Sequence, residues 1–434
     1  MGTASFSAAF LAALFVLMIG LPVAVVLASA GIAGGWAAIG QSMVDSIGSV
    51  IWGVQNENLL TAIPLFILLG EILLRSGLAD KMYISLSAWL GRLPGGLLHS
   101  NIGACALFAA TCGSSVATAA TIGTVALPAL EQRGYSRSQA LGSLAAGGTL
   151  GILIPPSVAM LVYGSITNNS VAQLFIAGVI PGLLLAGAFM VYIVGSNLMN
   201  PALNRREATI ALSDKLRLSL NLIPPLIIFG VVMGSLYFGL ATPTESASVG
   251  VIIAMLLAWR FGRFDLNLLH HCFRQTAVLT GTILLIICGA FILNVTISVL
   301  GIPQTLTRLV ASFRVSPTEL ILILVVFYLV LGCFLEVLSM QVTTIPIVYP
   351  IVSAVGIDPI WFGIFIVLMS ELAMITPPVG MNLYVVQSIR KDGGQISDVI
   401  RGIIPYVLIM IAFTVAIWFY QDVVLWLPRT MFGT

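Results

Sequence analysis

Gly147-Gly148-Thr149-Leu150-Gly151-Ile152-Leu153-Ile154-Pro155-Pro156-Ser157 lies inside an apolar run long enough to cross a bilayer. Two consecutive prolines remove two backbone donors and collide with the preceding helical turn. Three glycines just before them loosen the helix further. In lipid, broken backbone persists only where protein or a wet cavity surrounds it, so the break marks a site. The motif returns 222 positions later as Met374-Ile375-Thr376-Pro377-Pro378-Val379-Gly380. Broken membrane helices in corresponding halves of a chain point to a transporter's binding site.

Composition agrees. Of 434 residues, 59% are hydrophobic and 8% charged, whereas soluble domains carry about 25% charged residues. The chain reads as an all-α integral membrane protein. A net charge of +2 gives no basic face for nucleic acid. Cys105, Cys112, Cys272, Cys288 and Cys333 show neither a CxxC pair nor metal-ligand spacing. HExxH, GxSxG and GxxxxGK[ST] signatures are missing, and His99, His270 and His271 form no ligand cluster, so nothing supports an enzyme. The first apolar stretch lacks a basic start and is too long for a signal peptide, so it reads as a retained helix.

A spanning helix needs about 20 apolar residues. Nine crossings fit: 4–34, 57–75, 138–165, 171–198, 221–240, 244–260, 277–299, 360–388 and 402–427. Two further apolar stretches, 98–130 and 317–350, carry polar or small residues at mid-length: Cys112-Gly113-Ser114-Ser115 in one, Glu336 and Ser339 in the other. These read as re-entrant hairpins. Each is preceded by a short amphipathic piece, 78–90 and 304–313, suited to lie flat as an interfacial arm. At a shift of 222, Thr121 meets Thr343, Pro128 meets Pro350 and Gly134 meets Gly356; at 224, Gly77 meets Gly301. An almost constant shift means internal duplication.

The basic loop 200–220 is assigned to the cytoplasm by the positive-inside rule. Nine crossings then place the N-terminus inside, the C-terminus outside, and 15 of the 18 Lys and Arg inside. Corresponding helices run in opposite senses, so the repeat is inverted. The first hairpin enters from the cytoplasm and the second from outside. The chain divides into first-repeat scaffold and arm (1–97), first transport half (98–165), connecting scaffold helices (166–276), second-repeat helix and arm (277–316), second transport half (317–390) and a C-terminal helix (391–434).

The break leaves carbonyls near Gly148, Gly151, Ile154 and Pro155 without helical partners, beside a hairpin of small residues including Ser114, Ser115 and Thr118. Free carbonyls and hydroxyls are hard oxygen ligands that suit Na⁺. The second half offers Gly332 and Cys333 at its hairpin, with Ala373, Thr376 and Val379 around its break. Each half could hold one cation; kinked helices lined by small residues for packing are the alternative. No Lys or Arg lies in 93–132, 138–204 or 315–389. An anionic substrate would therefore rely on bound Na⁺ and on helix N-termini. Ser157 and Asn382, with Thr118, are the candidate substrate contacts; capping of the half-helices is the competing reading for Ser157 and Asn382. Intramembrane acids are costly and tend to be functional. Glu336, nearest a hairpin tip, is a candidate for the ion or proton path. Glu71 and Glu371 read as inter-helix hydrogen-bonding groups, and Glu245 as a first-turn residue.

The run from Cys112 to Ala120, the run from Gly147 to Ser157, Gly356-Ile357-Asp358-Pro359 and Thr376-Pro377-Pro378-Val379-Gly380-Met381-Asn382 together resemble the large membrane subunit of tripartite ATP-independent periplasmic (TRAP) transporters. The resemblance covers nearly the whole chain; Cys112 departs from an expected serine. It implies an inner-membrane, Na⁺-driven importer of an organic anion, such as a C4-dicarboxylate or sugar acid, working as an elevator. It implies two partners, a small four-helix membrane subunit and a periplasmic substrate-binding protein. With no four-helix segment before Ala4, the small subunit is expected as a separate chain. By motif match, one Na⁺ site falls on Ser114, Ser115, Gly151, Ile154 and Pro155. The other falls on Gly332, Cys333, Ala373, Thr376 and Val379. A stand-alone Na⁺/carboxylate symporter of similar fold, and a channel, remain the alternatives.

Overall fold

The computed structural model describes residues 21–200 and 210–432, with Ala12, Leu203, Arg205 and Glu207 besides. Every regular element among the described residues is a helix. The expected crossing 4–34 lies partly outside them; Val23–Ile39 is its described end. Thr296 Oγ1 donates to Gly31 O at 2.6 Å, tying that helix to the long scaffold helix Leu266–Val299.

Helix bounds repeat at the sequence spacing. Ser115–Gln132 and Arg137–Leu153 answer to Val337–Ala354 and Pro359–Ile375, each displaced by 222. Gly77 and Gly301 both take left-handed backbone, φ 76° and 63°, which a side chain would strain. There the scaffold helices turn into the arms Leu78–Leu90 and Ile302–Ser312. The first arm is bent 69° from Ala62–Arg75.

Each hairpin is two helices joined by a capped turn. In the first, Leu97–Cys112 ends at Gly113 (φ 64°), and Ser114 Oγ accepts from Ala117 N to open Ser115–Gln132. In the second, Pro317–Gly332 is followed by Val337–Ala354, whose N-cap is Glu336. The broken helices are Arg137–Leu153 with Val158–Thr167, and Pro359–Ile375 with Met381–Ser388.

Contacts between the halves fix the inversion. Arg137, at the base of the first hairpin, is 3.4 Å from Asp392, just past the end of the second broken helix. At the other end, Tyr163 donates to Pro359 O at 2.7 Å and Asn169 to Tyr349 Oη at 3.1 Å. Each broken helix starts beside its own hairpin's base and finishes beside the other's. The two hairpins therefore enter from opposite faces.

The basic loops gather on the first hairpin's face. Arg133 pairs with Glu207 at 2.8 Å, Arg263 N donates to Ser76 O and Trp89 Nε1 donates to Ser219 Oγ. Arg390 there bridges Asp392 (2.8 Å) and Asp398 (3.1 Å). The guanidinium of Arg390 holds the Asp392 carboxyl down at about 2. A depressed carboxyl stabilises the fold above its unfolded value and loses that contribution as pH falls towards the folded one. Asp392→Asn is thus expected to lower the melting temperature at pH 7, with the gap from wild type closing between about pH 4 and 2; a pH series of detergent melts reads this directly.

The broken helices form the centre. Residues 140–153 and 361–375 are buried on every side, as expected of helices apolar all round. Between helices in lipid, small residues permit close packing. A Cβ on Gly142 would strike the Gly402 carbonyl, so Arg137–Leu153 crosses Ile396–Phe419 backbone to backbone.

Several boundaries differ from expectation. Among the described residues, seven helices are long and apolar enough to cross alone, or eight with the bent pair counted as one span. The nine expected crossings include segments that the fold shortens or breaks: 57–75 contributes only the 14-residue helix Ala62–Arg75, and 360–388 is two pieces. By length and composition Val337–Ala354 also counts as a span, although it is half of a hairpin. The amphipathic helix Gln41–Gln55 was not anticipated. The expected 402–427 helix starts earlier, at Ile396, and stops at Phe419, before a polar Gln421-Asp422 step into Asp422–Phe432.

Candidate functional site

Pro155 and Pro156 have no N–H, so the carbonyls of Gly151 and Ile152, four residues earlier, lose their helical donors. Pro377 and Pro378 remove the same donors from Ala373 and Met374, although Thr376 N donates to Ala373 O at 3.4 Å. Both breaks meet the hairpin tips. A Cβ on Gly151 would lie 2.6 Å from Ser114 O and 2.8 Å from Ser115 Cα, so the first tip rests its backbone on the first break. A Cβ on Gly332 would lie 2.6 Å from Ala373 Cβ, so the second hairpin rests on the second break. Gly151 and Ala373 are repeat counterparts.

All four pieces line one cavity of about 180 Å³. The first tip gives Ser114 and Ser115, the second Glu336, and the breaks Ile152 and Met374. The scaffold closes it with Gly70 and Glu71 on one helix and Leu279 and Ile283 on another. Glu71 pairs with Arg75 at 2.9 Å. The Glu336 carboxylate accepts from Leu338 N, Ser339 N and Ser339 Oγ at 2.9–3.1 Å, capping its helix. The walls are mostly aliphatic, and among the described residues no Lys or Arg lines the cavity.

The structure gathers Ser114, Ser115 and Gly151. Ile154, one residue before the prolines, packs on Gly182 of the next helix, and a Cβ there would be 2.6 Å from Ile154 Cγ1. Around the second break, Gly332 meets Ala373, Thr376 Oγ1 donates to Leu372 O at 2.6 Å, and Cys333 Sγ donates to Leu329 O at 3.3 Å. Val379 lies beyond the break and is exposed. The groups around the tips and breaks are carbonyls and hydroxyls, with no cluster of three His, Cys, Asp or Glu among the described residues; by chemistry such oxygens suit a small hard cation.

The three candidate substrate contacts are fully buried and occupied by local bonds. Ser157 Oγ accepts from Met160 N, capping the half-helix. Thr118 Oγ1 donates to Ser114 O at 2.7 Å. Asn382 Nδ2 reaches across the repeat to Ser115 Oγ (2.8 Å) and Ala145 O (3.3 Å). Asn382 thus pins the first tip and first broken helix to the second half. Removing a buried hydrogen-bonding group costs about 1–3 kcal/mol. Asn382→Leu is therefore expected to lower the melting temperature by several degrees; a melt equal to wild type would show that the latch carries no load.

One expectation about acids is corrected. Glu71 bonds within its own helix rather than to another, because Arg75 lies one turn on. Glu371 is buried, with the Leu153 backbone of the first broken helix beside its carboxyl. Glu245 behaves as read, forming a capping box with Thr242. Sequence reasoning missed the scaffold wall. Gly70, whose added Cβ would sit 2.9 Å from Cys112 Sγ, touches the first tip directly. A lone Gly-Glu pair in a Leu/Ile-rich helix was its only signal.

Hairpins entering from opposite faces and two broken helices around one cavity, all within an inverted repeat, define a secondary transporter. The chain belongs to the DctM component family of tripartite ATP-independent periplasmic transporters, whose family model matches residues 10–423. It is 33% identical to the C4-dicarboxylate TRAP transporter large permease protein DctM of Pseudomonas aeruginosa, over 89% of this chain and 90% of that one. It is 30% identical to the sialic acid TRAP transporter large permease protein SiaM of Vibrio cholerae, over 88% and 89%. The crystal structure of the Alcanivorax borkumensis YdaH transporter shares the fold at TM-score 0.69 and 13% identity, over 94% of this chain and 98% of that one. The chain is accordingly a multi-pass inner-membrane permease and not an enzyme.

Proposed function

We propose that this chain is the large membrane subunit of a Na⁺-driven TRAP transporter that imports an organic anion bearing a carboxylate. A periplasmic binding protein delivers the substrate, and a small four-helix membrane subunit joins the scaffold. The observation that carries this reading is the single cavity where both tips and both breaks meet. Ser114, Ser115 and Gly151 would hold one Na⁺; Gly332, Ala373 and Thr376 stand around the second position. Bound Na⁺ supplies the positive charge that the cavity lacks. The basic loops on the first hairpin's face support a cytoplasmic assignment for that face, with the N-terminus inside and the C-terminus outside.

The hairpins and broken helices are cross-tied at both ends and through Asn382, as one body that slides against the scaffold in an elevator stroke. The test is uptake into proteoliposomes holding the chain, its small membrane partner and its binding protein. Uptake of labelled carboxylates that needs both an inward Na⁺ gradient and the binding protein supports the reading. Equal uptake when K⁺ replaces Na⁺ overturns the ion sites, and uptake without the binding protein indicates a stand-alone symporter.

A further inference from the structure

Two larger cavities, of about 600 and 580 Å³, lie between the scaffold and the hairpin body on the second hairpin's face. They share Ile166, Asn294 and Ser298 and so make one trench with two lobes. The central cavity touches the same scaffold helix at Leu279 and Ile283. From Ile283 to Asn294 is about 16 Å of helix rise. The trench is thus bounded by the same fixed helix and the same moving body, farther along the rail.

Its chemistry differs from the central cavity's, where the charged groups are Glu71 and Glu336. One lobe carries Arg308 with Gln304, Thr307 and Tyr349; the other carries Glu57. Among the described residues the Arg308 guanidinium makes a single hydrogen bond, from Nε to Gln304 O at 3.3 Å. It forms no ion pair among the described residues, so its terminal N–H groups are free to grip a planar anion two-pronged. Half-buried Asn294 faces both lobes from an otherwise apolar stretch.

We propose that the Arg308 lobe is a carboxylate-binding station, where the substrate is held on the scaffold before the hairpin body carries it inward. Arg308 grips the carboxylate, and Asn294 offers its amide on the path towards the central cavity. The proposal rests on the anion-importer reading. A lipid phosphate would offer the same chemistry to an exposed arginine, and the test separates the two.

In the complete transporter in proteoliposomes, initial Na⁺-driven uptake is measured against the concentration of substrate-loaded binding protein. Arg308→Gln is expected to raise KM about tenfold, as for a lost charge-assisted hydrogen bond, with maximal rate within about twofold. Arg308→Lys keeps the charge but not the two-pronged grip, so it should recover only part of the loss. The KM change should be the same in zwitterionic and in anionic lipid, and docking of the empty binding protein should be unchanged. An unaltered KM, a change seen only in anionic lipid, or weakened docking of the empty protein would each overturn the station. Wild-type uptake indifferent to Na⁺ would instead overturn the importer reading beneath it.

Discussion

Gly70→Cys, with Cys105, Cys272, Cys288 and Cys333 replaced by Ala so that Cys112 is the one native thiol left, is expected to lose transport on oxidation and regain it on reduction. A Cβ built on Gly70 stands 2.9 Å from Cys112 Sγ and 3.2 Å from Cys112 Cα. In a disulfide, with its S–S bond of about 2.05 Å, the Cβ of one residue lies about 3 Å from the sulfur of the other, so the bridge is within reach once the crowded Cys112 backbone gives slightly. Residue 70 belongs to the scaffold and residue 112 to the first tip, so the bond would tie the first tip to the scaffold. If sliding is obligatory, the oxidised protein should run below about a tenth of its reduced rate, because a gating motion then limits every cycle. Adding Cys112→Ala should abolish the oxidant's effect. Full cross-linking with undiminished uptake would show that this contact does not move during transport.

The second large effect is expected at Gly151. The atoms a methyl group there meets first are all backbone, with Ser114 O at 2.6 Å and Ser114 C and Ser115 Cα at 2.8 Å. No side chain can swing away, so the tip itself must shift. Displacing a positioned group by about 1 Å costs ~10²-fold where geometry governs rate. Gly151→Ala should thus depress uptake by about that factor and raise the Na⁺ concentration for half-maximal rate, while the protein stays monodisperse on size exclusion. The repeat supplies a companion test. Ala373 already has a methyl because Gly332 opposite lacks one; Gly332→Ala should therefore injure the second site by a Cβ–Cβ collision. A Gly151→Ala protein with wild-type Na⁺ dependence would refute a cation site at this contact.

The duplication was legible because its markers are Pro and Gly, whose backbone consequences do not depend on tertiary neighbours. Pro155-Pro156 and Pro377-Pro378 break their helices, and Gly113 turns the first hairpin. The inversion was legible through charge, since Arg133, Arg137 and Arg390 share one face. What escaped depends on neighbours. Gly70 reads like any helical glycine until Cys112 is set against it. Asn382 read as a substrate ligand or a cap, and only the packed halves show its amide spent on Ser115 and Ala145. Gln41–Gln55 was invisible for another reason. Its mixed apolar and polar faces resemble a loop when hydropathy is averaged along the chain, although they suit a helix lying at an interface.

The reciprocal ties between the halves bear on how the chain is made. The first broken helix finds its Asn382 amide, its Asp392 partner and its Gly402 crossing only in segments well over 200 residues further along. At about 5–20 residues per second of synthesis, the ribosome has left that helix behind for about ten seconds or more before they emerge. Through that interval an opened backbone, with the Gly151 and Ile152 carbonyls lacking donors, sits in or beside lipid. The newborn first half is thus a client for the insertion machinery, and weakening the late partners should show first as degradation during biogenesis, before any defect in turnover is seen.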